Sequence, residues 1–266
     1  MTTQLVEVVF DTETTKVVDP IICEIASIIT TPKGMVLTSN DRVNPGESMS
    51  LLAVAVHNIT DEMVEDAPVI KNTESYSNIS MFNGPHAVFV GHNVGFDVEA
   101  FENSTGEKVE ANLIDTYKVA YHLYDEETCE SYKLNYLRYF LDLNKECLDL
   151  IEKYSPGDAH VTHAALFDTV ICQVIFDHFK TKLSIDEMIK ISARPLIFRK
   201  MTFGKHKGLS FDEIATTDYQ YIDWMMKQEI KKSKEAGMSK EEMHKNNFLA
   251  TLVFYHTKYA PPSESE

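Results

Sequence analysis

Val6-Glu7-Val8-Val9-Phe10-Asp11-Thr12-Glu13-Thr14 is an apolar, β-rich run that ends in Asp-x-Glu. Side chains alternate along an extended chain, so the run reads as a strand whose Asp11 and Glu13 leave the same face. Two neighbouring carboxylates in a partly buried place repel each other and raise one another's pKa unless positive charge lies between them. Mg²⁺ or Mn²⁺, hard cations that favour oxygen ligands, would supply that charge. A strand ending in two solvated acids has the same short signature, so the pair gains meaning only from its company.

A second apolar run, Ala87-Val88-Phe89-Val90-Gly91, passes through His92-Asn93-Val94-Gly95-Phe96-Asp97 into a helical pattern starting near Val94. Asp97 then occupies the first helical turn, where the helix dipole keeps an acid ionised; a plain first-turn Asp would sit there too. A third segment, His163-Ala164-Ala165-Leu166-Phe167-Asp168-Thr169, leads into an apolar stretch ending near Phe179. Five residues span roughly 140° of an α-helix, so His163 and Asp168 would not share a helical face. Asp168 is therefore placed on the helix, and His163 at or before its first turn, after the loop Ser155-Pro156-Gly157-Asp158. A mobile imidazole beside a rigid metal ligand suits a general base.

In that order Asp11, Glu13, Asp97, His163 and Asp168 resemble the signature of the DEDDh 3′-to-5′ exonucleases. His57-Asn58-Ile59-Thr60-Asp61-Glu62-Met63-Val64 and Ile114-Asp115-Thr116 match two lesser features of that family. Farther on, Met201-Thr202-Phe203-Gly204-Lys205-His206-Lys207-Gly208, Phe211-Asp212-Glu213-Ile214 and Tyr219-Gln220-Tyr221-Ile222-Asp223-Trp224 are similar to the small C-terminal module of its exodeoxyribonuclease X branch. The resemblance implies an α/β fold, a ribonuclease-H-like mixed sheet flanked by helices, followed by a small α+β module. Residues 1–183 are expected to form the core, 184–258 the module with a helical extension, and 259–266 a disordered acidic tail.

The activity implied is hydrolysis of terminal phosphodiesters at DNA 3′ ends, single-stranded ends preferred, to nucleoside 5′-monophosphates, with two Mg²⁺ or Mn²⁺ ions as cofactors. Asp11 would bridge both ions, Glu13 and Asp168 would complete one site, Asp97 would serve the second, and His163 would take a proton from the attacking water. By the same resemblance Thr12, Thr14, Ile59, Thr60 and Asn93 border the terminal nucleotide or its backbone. An exoribonuclease, a polymerase proofreading subunit and a non-catalytic binding protein stay open as alternatives. The C-terminal module would be unexpected in a proofreading subunit, and the full set of five site residues disfavours a non-catalytic protein.

Hydrophobic periodicity predicts strands over residues 5–11, 22–30, 35–43, 87–91 and 112–115, and helices over 69–81, 94–103, 116–124, 132–141 and 163–179. With 266 residues and 44% hydrophobic content, the chain can bury one substantial core and a small appended unit. Cys23, Cys129, Cys147 and Cys172 show no paired spacing, which points to reduced thiols and away from a disulfide-linked partner or a zinc site. The opening Met1-Thr2-Thr3-Gln4 lacks a basic region before an apolar run, and no segment is long enough for a bilayer, so no membrane partner and a cytoplasmic address are expected.

A net charge of −16 sits badly with an enzyme that grips phosphates. Its distribution softens the objection: residues 184–256 hold 12 Lys and Arg against 10 Asp and Glu, leaving 13 against 31 elsewhere. Residues 188–211 contain Lys190, Arg194, Arg199, Lys200, Lys205 and Lys207 and no acid, which suggests a contact along a nucleic-acid backbone. Phe203-Gly204-Lys205-His206-Lys207-Gly208 reads as a glycine-bounded turn that gathers three potential cations, with Lys205 and Lys207 as substrate contacts. Trp224 is expected to centre a small core, base stacking being the alternative. Ser239-x-x-Glu242 predicts a capping box opening one helix through Met243, Leu249, Leu252, Val253 and His256.

Overall fold

A computed structural model describes residues 5–155 and 164–260. The chain divides into two compact units, residues 1–193 and 194–266. In the first, β1 (Val6–Thr14), β2 (Ile22–Thr30) and β3 (Val36–Arg42) form an antiparallel meander, followed by α1 (Leu51–His57), α2 (Asp61–Val64) and α3 (Glu74–Met81). Then come β4 (Ala87–Gly91), α4 (Val94–Thr105), β5 (Asn112–Asp115), α5 (Thr116–Leu123), α6 (Leu134–Phe140), α7 (Asn144–Tyr154), α8 (Ala165–Lys180) and α9 (Ile185–Ser192). The sheet order is β3-β2-β1-β4-β5. β1 pairs antiparallel with β2 and parallel with β4, and β5 continues the parallel half, giving the expected mixed sheet.

The sheet is covered on both faces, which is why β2 is buried along almost its whole length and β4 reads as a continuous apolar run. Val6, Val8 and Phe10 point one way, into a cluster with Ile25, Ile29, Ile79, Phe89 and Phe101. Removing a ring as buried as that of Phe10 would cost about 3–5 kcal/mol. Glu7, Val9, Asp11 and Glu13 point the other way, toward α8. Lys180 at the end of α8 pairs with Glu7 at 2.7 Å, and the Thr169 hydroxyl reaches the Ala26 carbonyl.

Several expectations change. The helix predicted over 69–81 is interrupted: a 3₁₀ turn (Ile70–Asn72) ends at Thr73, whose hydroxyl donates to the Ile70 carbonyl and accepts from Tyr76 N–H to open α3. The amphipathic α7, burying Cys147 and Ile151 one turn apart, was not among the predicted helices. The first unit extends past residue 183 because α9 belongs to it: the Ser192 hydroxyl donates to the Met188 carbonyl and accepts from Asp115 N–H, and Lys118 Nζ donates to the Ser192 carbonyl.

The second unit comprises α10 (Phe211–Thr217), α11 (Tyr219–Glu235), α12 (Lys240–Lys245) and α13 (Asn247–Lys258). It is helical where an α+β module was expected, its only described β feature being the bridge between Lys200 and Ser210. Phe211, Ile214, Ile222, Met225, Leu252 and Tyr255 form its core. Trp224 stands outside that core at 54% exposure, so the expectation of a core built around it fails. The Ser239 and Glu242 capping box is present. The single helix expected after it is two, because Asn246 caps a new start by accepting from Leu249 N–H. Most of the predicted acidic tail lies outside the described residues. Among the described residues all four cysteines are free and buried, and no helix is long and apolar enough to cross a membrane.

Candidate active site

β4 pairs with β1 only from residue 6 to residue 9, so the last residues of β1 run past the point where the chain turns from β4 into α4. A buried N–H there needs an acceptor. Asp97, in the first turn of α4, provides one: the Thr12 N–H and hydroxyl donate to Asp97 Oδ1 at 3.0 and 2.8 Å. The β4–α4 turn that delivers Asp97 is tight. A Cβ on Gly91 would lie 3.0 Å from Val94 Cγ2, and Asn93 is left-handed at φ 69°. The Asn93 N–H donates to Asp115 Oδ1 at 3.0 Å, while Asp115 also caps α5.

Asp168 arrives on the opposite face of the sheet, in the first turn of α8. The start of α8 is pinned by Glu24 on β2, whose Oε2 accepts from Ala165 N–H at 2.9 Å. Register does the rest. Asp11, Glu13 and Asp168 bring one carboxylate oxygen each to within 4.8 Å of one another, all three part-buried. Asp97 lies near this trio from the α4 side, held by Thr12. His163 lies outside the described residues.

Burial, followed by the charges of Asp97, Asp168, Glu13 and Glu24, holds the Asp11 carboxyl well above the usual carboxylate range. Glu13 is pushed up to about 9, by burial first and then by Asp168, Glu24 and Asp97, with Arg42 opposing. Burial raises Asp97 to about 7 against the hydrogen bonds from Thr12. An all-oxygen trio in which Asp168 adds to the upward shifts of Asp11 and Glu13 is a donor set suited to a hard divalent cation.

Two further residues belong to this neighbourhood, neither of them among the expected site residues. Glu24 stands opposite Glu13 in the β1–β2 register and is held by Arg42 Nε at 2.8 Å. A lone acid inside Ile21-Ile22-Cys23-Glu24-Ile25-Ala26 was the available signal. His57, buried at the end of α1, links β1 to the residues after α1. Around the site, Asp168, Asn93, Tyr117 and Lys133 line a cleft of about 610 Å³.

The expected substrate contacts separate in the structure. The Asn93 side chain is exposed. Thr12 is committed to Asp97, and the Thr14 hydroxyl donates to the Lys16 carbonyl at 3.2 Å. The Ile59 side chain is 1% exposed, packed with Cys23, Met49 and Val64, so it faces the core. The Thr60 hydroxyl bonds Glu62. In the second unit the cationic turn is partly neutralised: Lys205 Nζ and His206 Nε2 both reach Asp218 Oδ2, at 2.7 and 2.9 Å. Lys207 is exposed.

Comparison with known proteins follows the same division. The family described as Exonuclease (RNase T) matches residues 8–176, and that described as Exodeoxyribonuclease X-like C-terminal matches residues 201–229. Exodeoxyribonuclease 10 of Escherichia coli strain K12 is 29% identical over 219 residues, 82% of this chain and 89% of that protein. A PolC-type DNA polymerase III of Caldanaerobacter subterraneus subsp. tengcongensis is 33% identical over 141 residues, 51% of this chain and 10% of the polymerase. Among solved structures, exonuclease X in complex with 5′ overhanging duplex DNA matches with a TM-score of 0.55 at 26% identity, over 70% of this chain and 99% of that one.

Proposed function

Because this chain belongs to the exonuclease (RNase T) family, we propose that it is a metal-dependent exodeoxyribonuclease that removes nucleoside 5′-monophosphates from DNA 3′ ends, single-stranded ends by preference. The observation that carries this reading is the convergence of Asp11, Glu13 and Asp168 from two distant segments onto one point. These three with Asp97 would hold two Mg²⁺ or Mn²⁺ ions. Bound there, the ions would neutralise the acids and stabilise charge on the leaving 3′-oxygen.

The chain's own groups divide the remaining work. Asp97 keeps its orientation through Thr12, so the α4 side of the site is set before substrate arrives. His163 takes a proton from the attacking water. Thr14, Asn93 and the Ile59 and Thr60 segment bound the terminal nucleotide, with Ile59 acting as backing. Lys207 contacts the nucleic-acid backbone, and Lys205 does so only in competition with Asp218. The polymerase likeness offers a proofreading reading. It covers 51% of this chain and only 10% of the polymerase, whereas the C-terminal match over residues 201–229 favours a free-standing exonuclease.

The test uses 5′-labelled single-stranded DNA and RNA oligomers with Mg²⁺, comparing wild type, Asp168→Ala and an EDTA control. A ladder shortening from the 3′ end of DNA, abolished by EDTA and by the substitution, supports the proposal. Shortened RNA with intact DNA moves the assignment to a ribonuclease, and intact oligomers of both kinds overturn it. His163→Ala should lower turnover about 10²- to 10⁴-fold with metal binding retained; unchanged turnover removes His163 from the role of base.

A further inference from the structure

α1 is held in an unusual way. Its apolar residues Leu51, Leu52 and Val56 are 87%, 79% and 53% exposed, and its one buried side chain is a histidine, His57. Packing of the kind that holds an amphipathic helix is therefore reduced to the half-buried Val54, which lies against Cys23, Met49, Ile59 and Val64. Hydrogen bonds add to it. At the start of α1 the Ser50 N–H donates to the Thr15 carbonyl at 2.9 Å. At its end His57 lies 6% exposed, with both ring nitrogens engaged.

Those two bonds define the ring. The Ile59 N–H can only donate, and it reaches His57 Nδ1 at 3.0 Å, so Nδ1 is unprotonated. The hydrogen then sits on Nε2, which donates to the Thr14 carbonyl at 3.2 Å. Burial also holds this imidazole below its ordinary pKa, in keeping with a neutral ring. Both partners are special points of the chain. Thr14 follows the register shift between Glu13 and Thr14, where β1 leaves its regular ladder with β2. Ile59 follows Asn58, whose left-handed φ of 59° turns the chain back toward the ring.

We propose that His57 is a positioning residue: its Nε2 bond to the Thr14 carbonyl ties the end of β1, one residue beyond Glu13, to the turn that carries Ile59 and Thr60, and so fixes the terminal-nucleotide pocket relative to Asp11 and Glu13. This rests on the exonuclease reading above. A leucine would fill the same space and could make neither bond. Loss of the tie lets the nucleotide shift against the acids, and a displacement near 1 Å costs about 100-fold in rate.

The side-chain chemistry allows the two bonds to be separated. In His57→Gln the amide nitrogen can stand where Nε2 does, keeping the donor to Thr14 and losing the acceptor for Ile59. In His57→Asn the amide oxygen can stand where Nδ1 does, keeping the acceptor for the N–H two residues on and losing Thr14. The experiment measures kcat and KM on a 5′-labelled DNA oligomer at saturating Mg²⁺, together with thermal melting, for wild type, His57→Ala, His57→Gln and His57→Asn. The expected result is a kcat about 10- to 100-fold lower for His57→Ala and His57→Asn, KM within about threefold, and substantial recovery of kcat in His57→Gln. Lower melting temperatures with unchanged kcat across all three variants would reduce His57 to core filling and overturn the inference. Equal loss in His57→Gln and His57→Ala would also overturn it, since the bond to Thr14 would then not be the device. A wild type that leaves the oligomer intact overturns the exonuclease reading and this inference together, whereas an active wild type with an equally active His57→Ala overturns the inference alone.

Discussion

Metal binding to this site should be coupled to proton release, and the acids set the amount. With its carboxyl pushed up to about 9, Glu13 is protonated at pH 7 in a ratio of roughly 100 to 1. Asp11 is also held well above the usual range, and Asp97, raised to about 7, is close to half protonated there. A divalent ion needs the ionised oxygens, so binding at pH 7 must expel about one proton from Glu13 and further protons from its neighbours. For each proton released, the apparent association constant rises about tenfold per pH unit. From pH 6 to pH 8 that is a gain of at least about 100-fold, or about 2.7 kcal/mol. Calorimetric titration with Mn²⁺ at pH 6, 7 and 8, in two buffers of unequal ionisation enthalpy, reads both the affinity and the number of protons released. Asp168→Ala, which removes one of the three converging carboxylates, is the control and should bind far more weakly. Binding without proton release, at an affinity unchanged across this range, would refute the reasoning.

The same shifts act on folding. Between the ordinary glutamate pKa near 4.5 and its native value of about 9, Glu13 binds more protons folded than unfolded, so its contribution to stability is lost as pH rises through that window. The melting temperature of EDTA-treated protein should accordingly fall from pH 5 to pH 9 and saturating Mn²⁺ should oppose the fall; a metal-free melting temperature that rises with pH would contradict this. Thr12→Val removes the hydroxyl that donates to buried Asp97 at 2.8 Å, and should cost about 1–3 kcal/mol in urea unfolding at pH 8, where Asp97 is ionised. A cost near zero would show that the backbone bond alone holds Asp97. Trp224→Ala, at an exposed position outside the second unit's core, should change stability by no more than about 0.5 kcal/mol. A drop of several degrees in melting temperature would return Trp224 to a packing role.

By itself the sequence determined the parts whose signals are local. Predominantly apolar runs marked β2 and β4 at their observed limits, and the two-residue period of β1 put Asp11 and Glu13 on one face. Tertiary structure decided what joins those parts. Thr12 and Asp97 are 85 residues apart, and Glu24 and Ala165 are 141 apart. No periodicity announces either bond, because each depends on where one strand ends beside another and how a helix registers against a sheet. Thr73 ended a predicted helix and Asn246 divided another because short polar side chains offered the backbone a competing bond, an outcome that residue spacing does not decide. Trp224 failed as a core centre because composition gives its size but not which face of α11 meets α13. His57 was visible as a residue in a motif, yet its two bonds exist only because a register shift in β1 and a left-handed Asn58 bring Thr14 and Ile59 to opposite sides of one ring.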